Sequence, residues 1–519
     1  MKKPKYPIGI QTFSKIIEGG FVYVDKTRYI PTLVDGGQYL FLSRPRRFGK
    51  SLLLSMLHSY FNGDRHLFKG LEIDSMDVDW TPRPVIHIDF NAENYMVENG
   101  LELILDRILR EYESRCKVNE KETSFSGRFI QLIRTIKERT GHGPVILVDE
   151  YDKPLLGIED NPELFAKNQS ILKGFFGVLK SMDRYIRFAM LTGVARFNKV
   201  SIFSDLNNLR DISIENDFAD ICGWNQEELE RNFGFGIEEL AKRNNMNYEC
   251  AVSRMRSYYD GYLFAPAGSR LYNPFSVLRA LAAKEFGKYW FQTGTPTFLV
   301  KRIKKAQILL PSLNNARSMK ADLEAVGVND SNPVPLLFQT GYLTIKRAVG
   351  DRFELQFPNK EVETGFAEQL LPLYAPQMKD LNGEFSLWEF QDELAAGEPE
   401  AFMLRLQTMI KAVPYEQHSE KFYQNIVYLL FTLSGADSRV EEHTSKGRAD
   451  LVVRTERYIY VFEFKYNGSA EEAIRQIRDR DYPGKFRLDP RPVFLIGANF
   501  SEKDRGLEKW IIESEIKRG

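Results

Sequence analysis

Residues 39–61 constrain the fold of this chain more than any other segment. They read YLFLS at 39–43, RPRRFGKS at 44–51 and LLLSMLHSYF at 52–61. A short apolar strand, a loop ending in Gly-Lys-Ser and an apolar helix follow in the order that a phosphate-binding loop requires. In such a loop the backbone N–H groups cradle the phosphates, the lysine reaches the β and γ oxygens, and the serine binds Mg²⁺. Gly49, Lys50 and Ser51 are therefore candidate nucleotide-binding residues. Arg44 occupies the place of the usual first glycine, so the pattern alone also fits an ordinary turn.

The strand VILVDE at 145–150 adds the acidic half of a nucleotide site. An acid at the end of such a strand holds Mg²⁺, which is the role predicted for Asp149. A following glutamate polarises the attacking water, which is the role predicted for Glu150. The LTG sequence at 191–193 places Thr192 beside the γ-phosphate. Arg196 either approaches the same phosphate or is a surface arginine, and the plainer alternative for 145–150 is a buried strand that ends in solvated acids.

The order of predicted elements divides the chain into four parts. Strands at 39–43, 84–90, 145–150 and 184–193 alternate with helices, which predicts a largely parallel α/β sheet. The pattern then turns helical, passes through a β-hairpin at 335–358 and becomes helical again from about 375. We therefore predict a P-loop nucleotide-binding core at 1–215, a helical lid subdomain at 216–310, a connector with a β-hairpin at 311–375 and a C-terminal α/β domain at 376–519.

The C-terminal part reads helix, strand, strand, helix, strand, and its two adjacent strands carry GRAD at 447–450 and EFK at 463–465. Because strand side chains alternate with period two, Glu463 and Lys465 share a face, and a hairpin would bring Asp450 opposite Glu463. The two carboxylates can hold a hard divalent cation, while Lys465 orients a water or stabilises charge on a phosphate. This set of groups is suited to phosphodiester hydrolysis. A surface hairpin with an ordinary ion pair is the alternative.

Further side chains are candidates for the same cleft. Glu420, in the helix before the hairpin, would supply another carboxylate, and Gln476 and Tyr482, after it, would line the cleft. Nucleic-acid contacts are predicted to be local rather than general, because Lys+Arg and Asp+Glu number 71 each and the net charge is zero. The candidate phosphate contacts are Lys446, Arg448, Arg475 and Arg478.

Composition excludes several classes of protein. Three widely spaced cysteines without a C-x-x-C motif, and only six histidines, argue against a disulfide scaffold, a zinc-binding cysteine site and a histidine-rich metal centre. The basic start MKKPKYPIG is not followed by an apolar core, and the longest apolar runs are too short to span a bilayer. The sequence therefore predicts a soluble cytoplasmic protein without a membrane partner.

The chain resembles the AAA-ATPase-like proteins that are fused to a PD-(D/E)XK nuclease-like domain, a bacterial family. The resemblance extends over nearly the whole chain. Its main segments are YVDKTRYI at 23–30, RPRRFGKS at 44–51, VILVDEYDKPL at 145–155, LTGVARFNKVSIFSDLNNL at 191–209, YYDGYLF at 258–264, YNPFSVL at 272–278, YWFQTGTPTFL at 289–299, GRADLVV at 447–453, FEFK at 462–465 and RQIRDRDY at 475–482.

This resemblance implies a P-loop ATPase with a helical lid and a C-terminal domain of the restriction-endonuclease type. Lys50 and Ser51 would be the Walker A residues and Asp149 with Glu150 the Walker B pair. Arg44 in place of glycine is typical of the family. Asp450, Glu463 and Lys465 match the nuclease motif in full, and Glu420 fits the acid of the preceding helix.

The function that follows is ATP binding, with ATP hydrolysis, in control of a metal-dependent nuclease that acts on nucleic acid. Its cofactors would be ATP and Mg²⁺, with Mn²⁺ as the alternative ion at the nuclease site. Two rivals are an ATP-dependent signalling switch whose C-terminal domain binds a partner or nucleic acid without cutting it, and a nuclease that works independently of nucleotide. The sequence leaves open whether the substrate is DNA or RNA, and whether the chain is monomeric or a homo-oligomer.

Overall fold

The computed structural model describes residues 4–118, 122–196, 208–293, 297–324, 331–375, 387–411, 419–435, 437–443, 448–504 and 506–515. The helices are α1 Phe13–Glu18, α2 Tyr29–Asp35, α3 Lys50–Phe61, α4 Gly100–Cys116, α5 Phe125–Thr140, α6 Pro162–Ser181, α7 Gln226–Arg243, α8 Tyr248–Tyr259, α9 Pro274–Ala283, α10 Thr297–Ala306, α11 Lys320–Leu323, α12 Val334–Gln339, α13 Lys360–Tyr374, α14 Leu387–Ala396, α15 Pro399–Lys411, α16 Glu420–Leu433 and α17 Ala470–Asp479. The strands are β1 Tyr39–Ser43, β2 Val85–Asp89, β3 Val145–Asp149, β4 Phe188–Gly193, β5 Arg210–Asp211, β6 Ala316–Met319, β7 Thr344–Val349, β8 Arg352–Gln356, β9 Asp437–His443, β10 Arg448–Arg454, β11 Ile459–Tyr466, β12 Val493–Ser501 and β13 Gly506–Glu515.

The chain forms two compact units. The first comprises Met1–Leu299 and Arg317–Glu361, and the second comprises Val300–Ala316 and Val362–Gly519. Within the described residues no helix has both the length and the apolar character that a membrane crossing needs. The finer division into four parts stays a prediction.

The first unit is built on a parallel five-stranded sheet in the order β2-β3-β4-β1-β5. Strands β1, β3 and β4 are buried along their whole length, because helices cover both faces of a parallel sheet and leave no solvent-facing side. Strand β4 lies between β1 and β3. The carboxyl ends of these three strands therefore meet at one edge of the sheet, where ligands bind in open α/β sheets.

The helical part of the first unit begins with one long helix, α7. Phe233, Ile237 and Leu240 continue a single buried stripe past Gly234 and Gly236, so the two glycines do not interrupt it. Asn225 and Glu228 close its first turn with a capping box. The predicted hairpin is present as β7 and β8 with its turn at Gly350, but residues 334–339 form α12.

The second unit contains a mixed five-stranded sheet in the order β13-β12-β11-β10-β9. The predicted helix–strand–strand–helix–strand order is present as α16, β10, β11, α17 and β12. Strands β9 and β13 were not predicted, because the charged sequence of β9 and the mixed one of β13 lack a long apolar run. Helix α16 is buried over most of its length. The α/β fold class of both parts is confirmed.

Candidate nucleotide site and candidate metal centre

The phosphate loop connects β1 to α3. Gly49 adopts φ 98°, a left-handed conformation that favours glycine, and a Cβ built there would meet no described atom within 4 Å. Lys50 is buried, and its Nζ lies 2.9 Å from the carbonyl oxygen of Arg44 and 3.4 Å from Oε1 of Glu150. Ser51 is half-buried at the start of α3. The three predicted loop residues therefore sit at the end of β1, with the lysine beside a predicted catalytic acid.

Arg44 ties the loop to the segment that follows β5. It is 1% exposed, and its guanidinium donates to four carbonyl oxygens. These belong to Ser43, Ser213, Phe218 and Ala219, at 2.9, 2.8, 2.9 and 3.4 Å. Burial lowers its pKa to about 10, so the side chain is charged at neutral pH. The residue that replaces the usual glycine is thus a structural clamp.

The acidic edge of the sheet lies next to the loop. Asp149, at the end of β3, is 3% exposed and accepts a 2.7 Å hydrogen bond from Oγ1 of Thr192 on the neighbouring strand β4. Glu150 follows with φ 53°, a left-handed conformation that is uncommon for a residue with a side chain and often marks a functional site. The structure brings Lys50, Asp149, Glu150 and Thr192 together. Arg196 is not part of this group, since its guanidinium pairs with Asp211.

Asp152 is a buried acid to which the sequence analysis assigned no role. Its side chain is fully buried, and its Oδ2 accepts the N–H groups of Val194 at 3.0 Å and Ala195 at 2.6 Å. Burial, and then the charge of Glu150, raise the pKa of Asp152 to about 7. The acid therefore fixes the chain just after β4. Its signal in the sequence is the third acid of the DEYD stretch at 149–152.

A cavity of about 180 Å³ adjoins the phosphate loop. Gly49, Lys50 and Ser51 line one side of it. Its other walls carry aromatic rings from several segments, namely Tyr23, Phe48, Trp224 and Phe275. Aromatic faces are suited to stacking on a flat heterocycle. Sequence reasoning missed this pocket, because its rings come from distant segments that only the fold brings together.

The candidate metal centre lies on the hairpin of β10 and β11. Leu451 pairs with Phe462 and Val452 with Val461, so the same antiparallel register places Asp450 opposite Glu463. The N–H of Phe464 donates to Oδ2 of Asp450 at 2.8 Å, which joins the two strands at this point. The predicted opposition of the two carboxylates is therefore present.

Glu463 has one carboxylate oxygen without a hydrogen-bond partner in the part of the chain that the structure describes. The side chain is 2% exposed, and its buried Oε2 has no hydrogen-bond partner among the described residues. Burial and the nearby charge of Asp450 raise the pKa of Glu463 to about 7, against the opposing effect of Lys465. A buried acceptor without a partner is costly, and a bound cation would satisfy it.

Three further side chains surround Glu463. Lys465 Nζ lies 3.2 Å from Glu463 Oε1 and donates to Oε1 of Gln476 at 2.7 Å. The amide of Gln476 in turn donates to Glu463 Oε1 and, at 3.3 Å, to the hydroxyl of Tyr482. The structure therefore brings Gln476 to the predicted cleft, where it holds the lysine beside the acid, and Tyr482 contacts Gln476.

The remaining residues predicted for this site make no described contact with Asp450, Glu463 or Lys465. Glu420 is exposed at the start of α16 and accepts from Gln424 at 3.3 Å. Gln424, rather than Glu420, lines a cavity of about 50 Å³ together with Asp450. Arg478 is exposed and pairs with Glu513, while Arg475 is exposed on α17. The side chains of Lys446 and Arg448 lie outside the described residues.

The residues present fit a divalent cation at this point. Asp450 and Glu463 supply hard oxygen ligands, and the unsatisfied Oε2 of Glu463 is the observation that supports the fit. Among the described residues no group of three histidine, cysteine or acidic side chains could hold an ion by itself. The remaining ligands would therefore be backbone carbonyls, water or phosphate oxygens.

Comparison with known proteins identifies a family for two regions of the chain. Residues 7–203 match the family model described as "Predicted AAA-ATPase", and residues 418–510 match the PD-(D/E)XK nuclease superfamily. A protein of Azotobacter chroococcum mcd 1, named "Uncharacterized protein in vnfD 5'region", is 35% identical over 529 aligned positions. The match spans 99% of this chain and 100% of that relative.

Proposed function

Because the chain belongs to the AAA-ATPase-like proteins that carry a C-terminal PD-(D/E)XK nuclease-type domain, we propose that it binds and hydrolyses ATP in order to control a metal-dependent nuclease. An ATPase domain and a nuclease-type domain joined in one chain are the basis of this proposal. What we propose beyond these two domains is that ATP controls the nuclease and that the nuclease cuts nucleic acid.

One observation supports the nuclease part most strongly. Glu463 is buried opposite Asp450, beside Lys465, and keeps one oxygen free of any described partner. A purely structural ion pair would be expected to satisfy both oxygens of a buried carboxylate, since an unsatisfied one is costly. A buried acid whose pKa is raised beside specific charged partners is a candidate for a functional site, and Glu463 meets this description.

Each residue has a distinct part in the proposed cleavage. Asp450 and Glu463 would hold Mg²⁺ or Mn²⁺, which would polarise the scissile phosphate and activate a water. Lys465, held by Gln476, would stabilise the negative charge that develops on the phosphate. Arg475, exposed on α17, would contact the nucleic-acid backbone.

The nucleotide part of the proposal depends on the edge formed by β1, β3 and β4. Lys50 would contact the β and γ phosphates, while Ser51 and Asp149 would hold Mg²⁺. Glu150 would orient the attacking water, and Thr192 would contact the γ-phosphate. The aromatic cavity beside the loop would receive the base. Hydrolysis would then favour one of two arrangements of the protein.

Purified full-length protein should be incubated with plasmid, linear DNA and RNA, in Mg²⁺ or Mn²⁺, with and without ATP. We expect cutting that needs the divalent ion and changes with ATP. Asp450→Asn should abolish cutting but keep ATP hydrolysis, and Lys50→Ala should remove ATP hydrolysis and the effect of ATP on cutting. Glu456→Gln, an exposed acid in the turn between β10 and β11, is the matched control and should behave as wild type.

The outcome also separates the alternatives. Binding of nucleic acid without any cutting, unchanged by Asp450→Asn, would replace the nuclease with the signalling switch. Cutting at equal rate in wild type and Lys50→Ala would leave a nuclease that does not depend on nucleotide.

A further inference from the structure

The four residues RPRR at 44–47 replace the glycine-rich part of the phosphate loop, and each is held by groups from elsewhere in the first unit. Arg44 donates to the carbonyls described above. The guanidinium of Arg47 lies 4.6 Å from the ring centre of Phe275. Pro45 and Arg46 are contacted by two segments that follow much later in the sequence. The loop shape is therefore set by its surroundings as well as by its own residues.

Trp290 contacts the loop directly. Its indole Nε1 donates to the backbone carbonyl of Arg46 at 3.2 Å, and the side chain is only 7% exposed. The indole packs edge-on against the ring of Tyr342, with 5.1 Å between ring centres. The adjoining Gly341 adopts φ 88°, and a Cβ there would lie 2.5 Å from Cβ of Pro45. Residues 290 and 341–342 thus pack against the outside of the loop.

A single buried carboxylate fixes the backbone that carries this tryptophan. Oε1 of Glu361 accepts the N–H of Tyr289 at 2.6 Å and the N–H of Trp290 at 2.8 Å. Glu361 is 1% exposed, at the start of α13. The chain of contacts therefore runs from Glu361 to the backbone of Trp290, and from the indole of Trp290 to the carbonyl of Arg46.

The loop needs such support for a physical reason. Arg47 adopts φ 69°, a left-handed conformation that costs a residue with a side chain on the order of 1 kcal/mol. Pro45 has no N–H group, so fewer backbone donors are available to aim at phosphate. A strained conformation persists only where the surrounding contacts impose it. The carbonyl of Arg46, next to the strained residue, is the group that Trp290 holds.

We propose that Trp290 and Glu361 are positioning residues of the nucleotide site, which hold the RPRR segment in the shape that presents the backbone N–H groups of Arg46 and Arg47 to phosphate. The proposal rests on the proposed function in one respect, that the loop binds nucleotide. It gives the YWFQTGTP stretch at 289–296 a role in nucleotide binding through its first two residues.

The test uses full-length protein with two readouts. Trp290→Phe keeps a ring in the pocket and removes the N–H donor, and a hydrogen bond of this kind contributes about 0.5–1.5 kcal/mol, or roughly a two- to tenfold change in affinity. We expect a fluorescent ATP analogue to bind two- to tenfold more weakly, and backbone amides 44–49 to exchange with deuterium faster. Trp388→Phe, at a tryptophan that is 77% exposed in the second unit, is the matched control.

Glu361 supplies a second, conservative comparison. Glu361→Gln keeps an oxygen that can accept both N–H groups and should leave affinity and exchange near wild type, whereas Glu361→Ala should reproduce the effect of Trp290→Phe. Wild-type affinity and wild-type exchange at 44–49 in Trp290→Phe would overturn the proposal. So would equally increased exchange over the whole first unit, which would indicate a general loss of stability. If Glu361→Ala does not fold, Trp290→Phe alone decides.

The exchange readout keeps this test separate from that of the proposed function. If wild type and Lys50→Ala bind the analogue equally poorly, nucleotide binding itself is wrong. Faster exchange confined to 44–49 in Trp290→Phe would then still show that Trp290 orders the loop, and unchanged exchange would refute both.

Discussion

Glu361 should make the stability of the first unit depend on pH in a direction opposite to that of most acids. Its carboxyl is 1% exposed, and burial raises its pKa from the usual 4.5 to about 7. The groups that face it are Ser276, the N–H groups of Tyr289 and Trp290, and the phenols of Tyr259, Tyr262 and Tyr289, which stay neutral in this range. No charged side chain is found to oppose the effect of burial among the described residues.

The sign follows from proton uptake. Between pH 4.5 and 7 the folded protein keeps the proton on Glu361, while the unfolded chain has lost it. The stability that this proton confers is complete below pH 4.5, falls as pH rises and is lost above about pH 7. With roughly 1.4 kcal/mol for each pH unit, the loss between pH 5 and pH 8 is about 2–3 kcal/mol.

Glu361→Gln isolates this contribution, because glutamine is neutral throughout the range. Urea unfolding of full-length wild type and Glu361→Gln, followed by tryptophan fluorescence from pH 5 to pH 8, gives the difference in unfolding free energy at each pH. This difference should shift by about 2–3 kcal/mol in favour of the variant as pH rises. Glu138→Gln, at an exposed acid on α5, should show a difference that is independent of pH. A pH-independent difference for Glu361→Gln as well would refute the reasoning.

Three other outcomes are expected. Gly341→Ala should destabilise the protein by about 1–3 kcal/mol in urea unfolding, because its Cβ would meet Pro45. Gly350→Ala, also at positive φ but in open space, should cost about 1 kcal/mol. Equal losses in the two variants would exclude the contact with Pro45 as the cause. Asp450→Asn should weaken Mn²⁺ binding measured by titration calorimetry at least tenfold, and unchanged binding would exclude Asp450 as a ligand. Arg475→Ala should lower the slope of log affinity for DNA against log salt by about one, and a slope equal to wild type would remove this residue from the interface.

The sequence predicted the features that local pattern determines. Short apolar runs that end at candidate site residues predicted β1, β3, β4 and β11. Period-two alternation placed Asp450 opposite Glu463, as the register shows. The α/β fold class followed from the alternation of strands and helices. Family resemblance added the assignment of both halves, which the comparisons confirm.

What the sequence did not predict depends on contacts between distant segments. Strands β9 and β13 are held by pairing with neighbours rather than by apolar patterning. The aromatic cavity, the buried acid Asp152 and the contact of Trp290 with Arg46 join residues that lie far apart in the chain. The sequence offers two environments for Arg196, the γ-phosphate and the surface, and the fold shows a third, because the arginine is buried in an ion pair with Asp211.

The clamp formed by Arg44 has a consequence for how such loops are recognised and altered. A search for the usual motif penalises this position, yet glycine here would take away a buried cation and the hydrogen bonds that it donates to the carbonyls of Ser213 and Phe218. Restoring the consensus would therefore damage the loop instead of repairing it. In this protein a buried arginine anchors the first residue of the motif, and a variant with glycine at residue 44 would lose that anchor.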